Sequence, residues 1–349
     1  MALDVKVKID LAKPIGRVGS WFPLLYVLEN ATSTAAENPD EGTSETTSYT
    51  YEEFTDFASL TTTHNDTDSD IYKAANVLFS QENVPNKVGV MKTATADTTA
   101  LATCIDEGWR QIVLVGAWDT TAIKTISTYI DGLKNTHQKM LFATVDKTDA
   151  SSLLSGTSAL ASERTVLVVG KENEACAVVG ATAGLEVGSF TYKNIIVNDT
   201  VNAEAVTETE LTNLGGKAIV ILEKAGDKVT SDGKATSGEF IDIVDSKDYI
   251  LQGIEYGVQK VFNNNKKVPY TNAGIALLEA ATLGVLVDAY NNGMIATNDD
   301  GTPAYSVSFA MRSETTESDR ATRSYPYGKF SFSLAGAIHT AEIKGTITV

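Results

Sequence analysis

Hydrophobic and polar positions alternate at both ends of the chain. After Met1, residues Leu3, Val5, Val7 and Ile9 point one way in an extended backbone while Asp4, Lys6, Lys8 and Asp10 point the other. The last segment does the same, with Ala341, Ile343, Gly345, Ile347 and Val349 on one face and Thr340, Glu342, Lys344, Thr346 and Thr348 on the other. Both termini read as half-buried strands. Chain ends usually fray, so arms about 30 Å long, at roughly 3.3 Å per residue, need a sheet to hold them. That sheet is either one of the arm's own domain or the edge of one in a neighbouring copy.

Between the arms the pattern changes twice. Residues 31–48 (ATSTAAENPDEGTSETTS) are polar, with Pro39 and Gly42, and read as a surface loop, and a second polar stretch, 61–69, precedes Asp70. From Asp70 helical and strand periods alternate. IYKAANVLFSQ reads as helix, KVGVM as strand, and TADTTALATCIDEG as a helix capped by Thr95 or Asp97 and closed by Gly108. RQIVLVGAW is a strand, DTTAIKTISTYIDGLKN a helix with Asp119 as N-cap, KMLFATV and RTVLVVG strands, ETELTNLGG a short helix and KAIVILEK a strand. This rhythm predicts an α/β layer with parallel pairs. The turn-rich stretch 224–238 (KAGDKVTSDGKATSG) marks a boundary.

Beyond it, 239–262 carries apolar residues at helical spacing, and a second helix is expected from about Asn272 to Asn292, capped by Thr271 or Asn272 and ended by Gly293. Its body, IALLEAATLGVLVDAY, is apolar almost all round, so it is buried on most sides or lies between subunits. AYSVSFAMR reads as a strand, SETTESDRATR as a charged helix or loop, and KFSFSLAGAIHTAEIKGTITV as one or two strands, which makes the second region α+β.

Composition narrows the function. The 349 residues suffice for two domains. With 28 Lys+Arg against 45 Asp+Glu the net charge is −17, which opposes general nucleic-acid or anionic-membrane binding. No run of 18 apolar residues occurs, so no bilayer span is expected, and the N-terminus lacks the apolar core of a signal peptide, so export is not expected either. Cys104 and Cys176 form no CxxC and lie on apolar helical patterns, as core residues do. His64, His137 and His339 are isolated, the acids at 66–70 and Asp299–Asp300 lack EF-hand spacing, and neither GxGxxG nor GxxxxGK[ST] is present. Asp119 follows a strand, where α/β enzymes often hold a functional group, but capping accounts for it. No catalytic, cofactor or metal site is expected.

Three blocks carry a family resemblance: IYKAANVLFSQENVPNKVGV, VPYTNAGIALLEAATLGVLVDAYNNGMIA and SDRATRSYPYGKFSFSLAGAIHTAEIKGTITV. In order and spacing they resemble the tail-sheath proteins of contractile phages and R-type, phage-tail-like bacteriocins, from about residue 71 to the end. The most specific is the last, with its Asp-Arg-Ala-x-Arg run and Leu-Ala-Gly-Ala-Ile-His segment. The resemblance implies a multi-domain fold, α/β plus α+β, with an inner domain built from both termini and an outer α/β domain. Residues 1–20 would be the N-terminal arm and linker, and 21–235 the outer domain, whole or as subdomains 21–145 and 146–235. The inner sheath domain would be 236–349, with a C-terminal β-arm at 338–349.

The resemblance also implies a role. Subunits would stack as hexameric rings around a tail tube and contract to drive it through a target cell envelope, without a cofactor. Partners would be further copies, the tail tube protein, and baseplate and tail terminator proteins, with no nucleic acid and no membrane insertion. The particle would be a virion or bacteriocin tail assembled in the bacterial cytoplasm. The arms, through Leu3, Val5, Val7, Ile9, Ile343, Ile347 and Val349, would add strands to neighbouring subunits. Pro14, Gly16, Gly19 and Gly336 would serve as hinges. The element facing the tube would be Glu317 to Arg323, with Arg320 and Arg323 on one helical face; pairing with Glu317 or Asp319 is the competing reading of those arginines. Alternatives are another tail or baseplate protein, or an α/β enzyme of unknown substrate.

Overall fold

The computed structural model describes residues 21–29 and 49–342. These fall into two compact units, 21–185 with 192–244, and 186–191 with 245–342.

The first unit is built on eight strands: β1 (Pro23–Leu28), β2 (Tyr51–Phe54), β3 (Val88–Thr93), β4 (Gln111–Val115), β5 (Met140–Val145), β6 (Thr165–Val169), β7 (Ile219–Lys224) and β8 (Asp227–Thr230). They form one sheet in the order β2-β3-β1-β4-β5-β6-β7-β8. The pairs from β3 to β7 are parallel, and β2 and β8 close the edges antiparallel. Every residue of β4 and β6 is buried, because a parallel strand covered on both faces has no solvent side to alternate toward. The sheet runs unbroken across residues 145 and 146.

Seven helices belong to this unit: α1 (Phe57–Thr63), α2 (Asp70–Phe79), α3 (Thr99–Thr103), α4 (Thr120–Gly132), α5 (Lys147–Leu154), α6 (Glu174–Thr182) and α7 (Glu208–Leu214). Leu101 of α3, Ile123, Ile126 and Ile130 of α4, Leu153 of α5 and Leu214 of α7 share one core with Leu24, Ile112, Leu141 and Leu167 of the strands. Asp119 caps α4 as expected, accepting from Ala122 N at 2.7 Å. The helix expected over 95–108 is shorter. Asp97 accepts from Thr99 N at 2.9 Å in a local turn, and the Trp109 indole takes the Cys104 carbonyl at 2.8 Å, so only Thr99–Thr103 is helical.

α6 is buried over all nine residues and packs on α2. A Cβ at Gly180 would stand 2.3 Å from the Leu78 carbonyl oxygen, so this close approach admits only glycine. Buried cations hold the amino ends of the strands. Lys139 Nζ donates to the carbonyls of Glu107 and Trp109, each at 2.6 Å, and lies 3.9 Å from the centre of the Trp109 ring.

The second unit holds most of α8 (Ile241–Asn264), then α9 (Asn272–Asn291), β9 (Tyr305–Phe309), α10 (Glu317–Ala321) and β10 (Gly328–Phe332). The division falls after the first turn of α8 rather than at the turn-rich stretch 224–238. Thr271 caps α9, accepting from Gly274 N at 3.3 Å. α8 turns Gly253 and Gly257 toward Val285 and Ala281 of α9. Ile250, Ile254, Val258, Leu278, Leu286 and Ala289 make the core between them.

Candidate assembly surface

Chemistry is sparse. Among the described residues no three His, Cys, Asp or Glu side chains gather where they could hold a metal. His64 and His137 each meet one carboxylate, Glu52 at 3.1 Å and Asp106 at 2.8 Å. Burial pushes the Cys104 thiol up to about 12 and the Cys176 thiol higher still, which leaves both protonated and unreactive. A cleft of about 410 Å³ opens at the carboxyl ends of β5 and β6, lined by Asp146, Lys147, Gly170, Lys171 and Glu204. Three of these side chains are engaged locally: Asp146 caps α5, and Lys147 reaches Glu204 at 3.9 Å, Glu210 at 3.8 Å and the Ala205 carbonyl.

The second unit instead exposes a small sheet and a short charged helix. β9 and β10 form a two-stranded antiparallel sheet, with Phe330 opposite Val307 and Gly328 opposite Phe309. One face, with Tyr305, Val307, Phe309, Phe330 and Phe332, lies on the α8–α9 core. The other carries Ser306, Ser308, Lys329 and Ser331, exposed, with Ser306 and Ser331 bonded through their hydroxyls at 2.8 Å. Among the described residues no further strand pairs with either outer edge. Two strands alone are marginal, and a strand edge without a neighbour presents unpaired N–H and C=O groups to any chain that can extend alongside.

α10 sits beside this sheet, held by polar contacts. Thr316 caps it, accepting from Asp319 N at 3.1 Å. Asp319 accepts from the Thr316 hydroxyl at 2.6 Å and from the Tyr327 hydroxyl, and these bonds lower its pKa. Tyr325 stacks on Phe309 at 5.9 Å and donates to the Ala310 carbonyl at 2.7 Å. Burial, with the nearby Tyr270, Glu279 and Glu314, pushes its phenol up to about 12.

The two proposed tube-facing arginines do not share a helical face. α10 ends at Ala321 and Arg323 follows with φ 57°, in the left-handed region. The geometry at Arg323 is set by Ser324 N donating to the Asp319 carbonyl at 2.9 Å, which turns the chain before another helical turn can form. Arg320 is half-buried and donates to the carbonyl of Thr315, and to its hydroxyl at 3.1 Å, rather than to Glu317 or Asp319. Arg323 is exposed, with no carboxylate partner among the described residues. Gly336 is exposed, with nothing near the position a Cβ would take. The arm residues Leu3, Val5, Val7, Ile9, Ile343, Ile347 and Val349, the hinge residues Pro14, Gly16 and Gly19, and the loop 31–48 lie outside the described residues. The part of the C-terminal arm that is described, 338–342, carries no strand, and Ile338 is 90% exposed. The sequence reading missed that, among the described residues, the outer edges of β9 and β10 have no strand beside them. Their only signal was alternation in AYSVSFAMR and KFSFS, which predicts strands without saying what lies beside them.

No curated protein matches the sequence. Residues 241–347 match the family model described as E217 tail sheath protein gp31-like, C-terminal domain. Solved structures match over nearly the whole length. A chain in the cryo-EM structure of the anti-feeding prophage baseplate, 6-fold symmetrised, is 14% identical with a TM-score of 0.71, over 100% of this chain and 99% of that one. One in the contracted PVC sheath complex of an extracellular contractile injection system is 10% identical with a TM-score of 0.68, over 99% and 97%. The sheath tail protein of Desulfitobacterium hafniense is 10% identical with a TM-score of 0.54, over 95% and 100%. In sequence over residues 241–347 and in fold over its length, this chain resembles the tail-sheath proteins of phage-tail-like contractile particles.

Proposed function

We propose that this chain is the structural subunit of a contractile tail sheath. Copies stack as hexameric rings around a tail tube and contract to drive the tube through a target cell envelope. The observation that carries the reading is the sheath fold over the full length, joined to the sheath-domain match over 241–347. Partners are other copies, the tube, and the baseplate and terminator that bound the polymer at its two ends. The particle, a virion or bacteriocin tail, assembles in the bacterial cytoplasm.

In this reading the second unit, with both terminal arms, is the inner domain and the first unit the outer one. The arms of neighbouring subunits extend the β9–β10 sheet along its open edges. Each added strand contributes several backbone hydrogen bonds, each worth ~0.5–1.5 kcal/mol net, and its apolar face covers the same core. Such seams hold while whole subunits move as rigid bodies, with Pro14, Gly16, Gly19 and Gly336 taking up the change. Arg323, exposed and without a carboxylate partner among the described residues, faces acidic groups of the tube.

Negative-stain electron microscopy of the purified chain, beside a variant lacking residues 2–10, tests this. Hollow tubes or stacked rings from the full chain and dispersed particles from the truncation are expected. Dispersed particles from both, even with a tube protein co-expressed, would contradict the reading.

A further inference from the structure

The large apolar side chains exposed at the surface are unevenly placed. Among the described residues Ile196 is the one in the first unit, whereas Phe262, Leu277, Leu283, Met311 and Ile338 all lie in the second. Two of them stand on α9. Its outer face, through Ala273, Ala276, Leu277, Ala280, Leu283 and Gly284, is exposed and apolar for about 17 Å, at 1.5 Å per residue. The opposite face, with Ile275, Leu278, Thr282, Leu286 and Ala289, is buried. A helix apolar on both faces is covered on both in its working state. Ala280 and Gly284, one turn apart between Leu277 and Leu283, leave a notch; a Cβ at Gly284 would meet nothing within 4 Å. Asp288 borders this notch one turn on, exposed and without a cation partner among the described residues.

A matching knob lies elsewhere on the same unit. Met311 is 60% exposed, and the next residue, Arg312, is exposed with no carboxylate partner among the described residues. Flexible, polarisable methionine suits a shallow apolar notch, and the arginine complements Asp288. The knob cannot fill the notch of its own chain. Arg312 N donates to Asn272 Oδ1 at 2.9 Å, which ties the knob to the amino end of α9, roughly 18 Å along the helix from Gly284.

We infer that the outer face of α9 is an interface between copies of this chain, in which Met311 of one copy enters the Ala280–Gly284 notch of the next and Arg312 pairs with Asp288. The knob is tied to the amino end of α9 and the notch lies at its middle, and in this contact each copy gives its knob to one neighbour and its notch to another, which makes it heterologous. Each copy keeps one of each for a further neighbour, and the series closes as a ring or runs on as a helical polymer. The inference goes beyond the strand-exchange reading and relies on it only for the fact of self-assembly.

Cysteine pairing tests it. Full-length chain with Gly284→Cys and Met311→Cys together, oxidised at assembly concentration, is expected to give a ladder of disulfide-linked multimers, because the geometry of the bond demands near contact. A mixture of the two single variants is expected to stop at dimers. Adding Asp288→Arg should slow cross-linking about fivefold, the scale of an exposed ion pair, and Arg312→Asp should then restore it. Cross-linking no faster than that of an Ile196→Cys, Met311→Cys control overturns the inference, as do dimers from Gly284→Cys alone, which would mean α9 against α9. α9 is also apolar enough in length and composition to cross a membrane. Partition of the wild-type chain into phosphatidylcholine vesicles, lost in Leu283→Glu, would therefore overturn it too. Tubular particles without the 284–311 cross-link refute the interface and leave the sheath reading standing; cross-linked ladders without tubes do the reverse.

Discussion

At the residue scale, the side chains with displaced proton affinities are structural, and each makes a measurable statement. Cys104 and Cys176 are buried with raised thiol pKa values. A thiol reagent such as DTNB at pH 8 should therefore leave the native chain unlabelled and react with both thiols only on unfolding; rapid labelling of either in the native state would refute the buried-core reading. Tyr325 gives a pH prediction. Its folded pKa, about 12, lies above the ordinary phenol value of 10.0, so the folded state holds the phenol proton more tightly. The stability it contributes is complete below pH 10 and is lost as pH rises through about 12. Ultraviolet titration of the native chain should lose one phenol titrating near pH 12 in Tyr325→Phe, while Tyr26 and Tyr51, pushed up further by burial, still titrate later. Arg320 is tied to Thr315, so Arg320→Glu disturbs the turn before α10 as well as any tube contact, whereas Arg323→Glu removes charge alone. If Arg323 faces the tube, Arg323→Glu lowers the yield of sheathed tails with unchanged melting temperature. Unchanged yield would remove that role.

At the scale of elements, most of the fold was legible where one physical signal dominated. Asp119, Thr271 and the periods behind them located α9 to within a residue and the start of α4 at its cap, because a cap followed by a long apolar stripe has few other solutions; α4 ends three residues earlier than expected. The Thr-rich 95–108 segment misled: its helical spacing was real, but Asp97 and the Trp109 indole took the backbone groups that a longer helix needs. PLLYVL, buried in the middle of the sheet as β1, carries no alternation to read. Nor could the sequence show that α10 stops short of Arg323, since a non-glycine residue at positive φ has no compositional mark. Gly180 was equally silent. Its role, admitting the Leu78 carbonyl at the α2–α6 crossing, predicts that Gly180→Ala costs about 1–3 kcal/mol in thermal or urea unfolding. A neutral effect would mean that the two helices separate readily.

For the whole molecule, sequence and structure give different views of the division. Turn-rich composition placed a boundary at 224–238, yet the chain passes through that hairpin and the compact units part only after Val244. Ile241 and Val244, fully buried at the head of α8, belong to the first unit, and a helix spanning a boundary leaves no loop signature. The assembly surfaces were half legible. Alternation in the terminal arms announced strands in need of a sheet, and the apolar circumference of α9 announced a helix in need of a second neighbour. What the sequence could not supply was the sheet edge proposed to receive them, since a free edge is a property of what is missing beside it. The most direct measurement is a cryo-EM reconstruction of the polymer formed by the full chain with its tube, at a resolution that traces the backbone. The account predicts six subunits per ring, with β9 and β10 extended by strands from the termini of other subunits. A polymer in which each subunit's arms fold back on its own sheet, or in which the edges of β9 and β10 stay open, would contradict it.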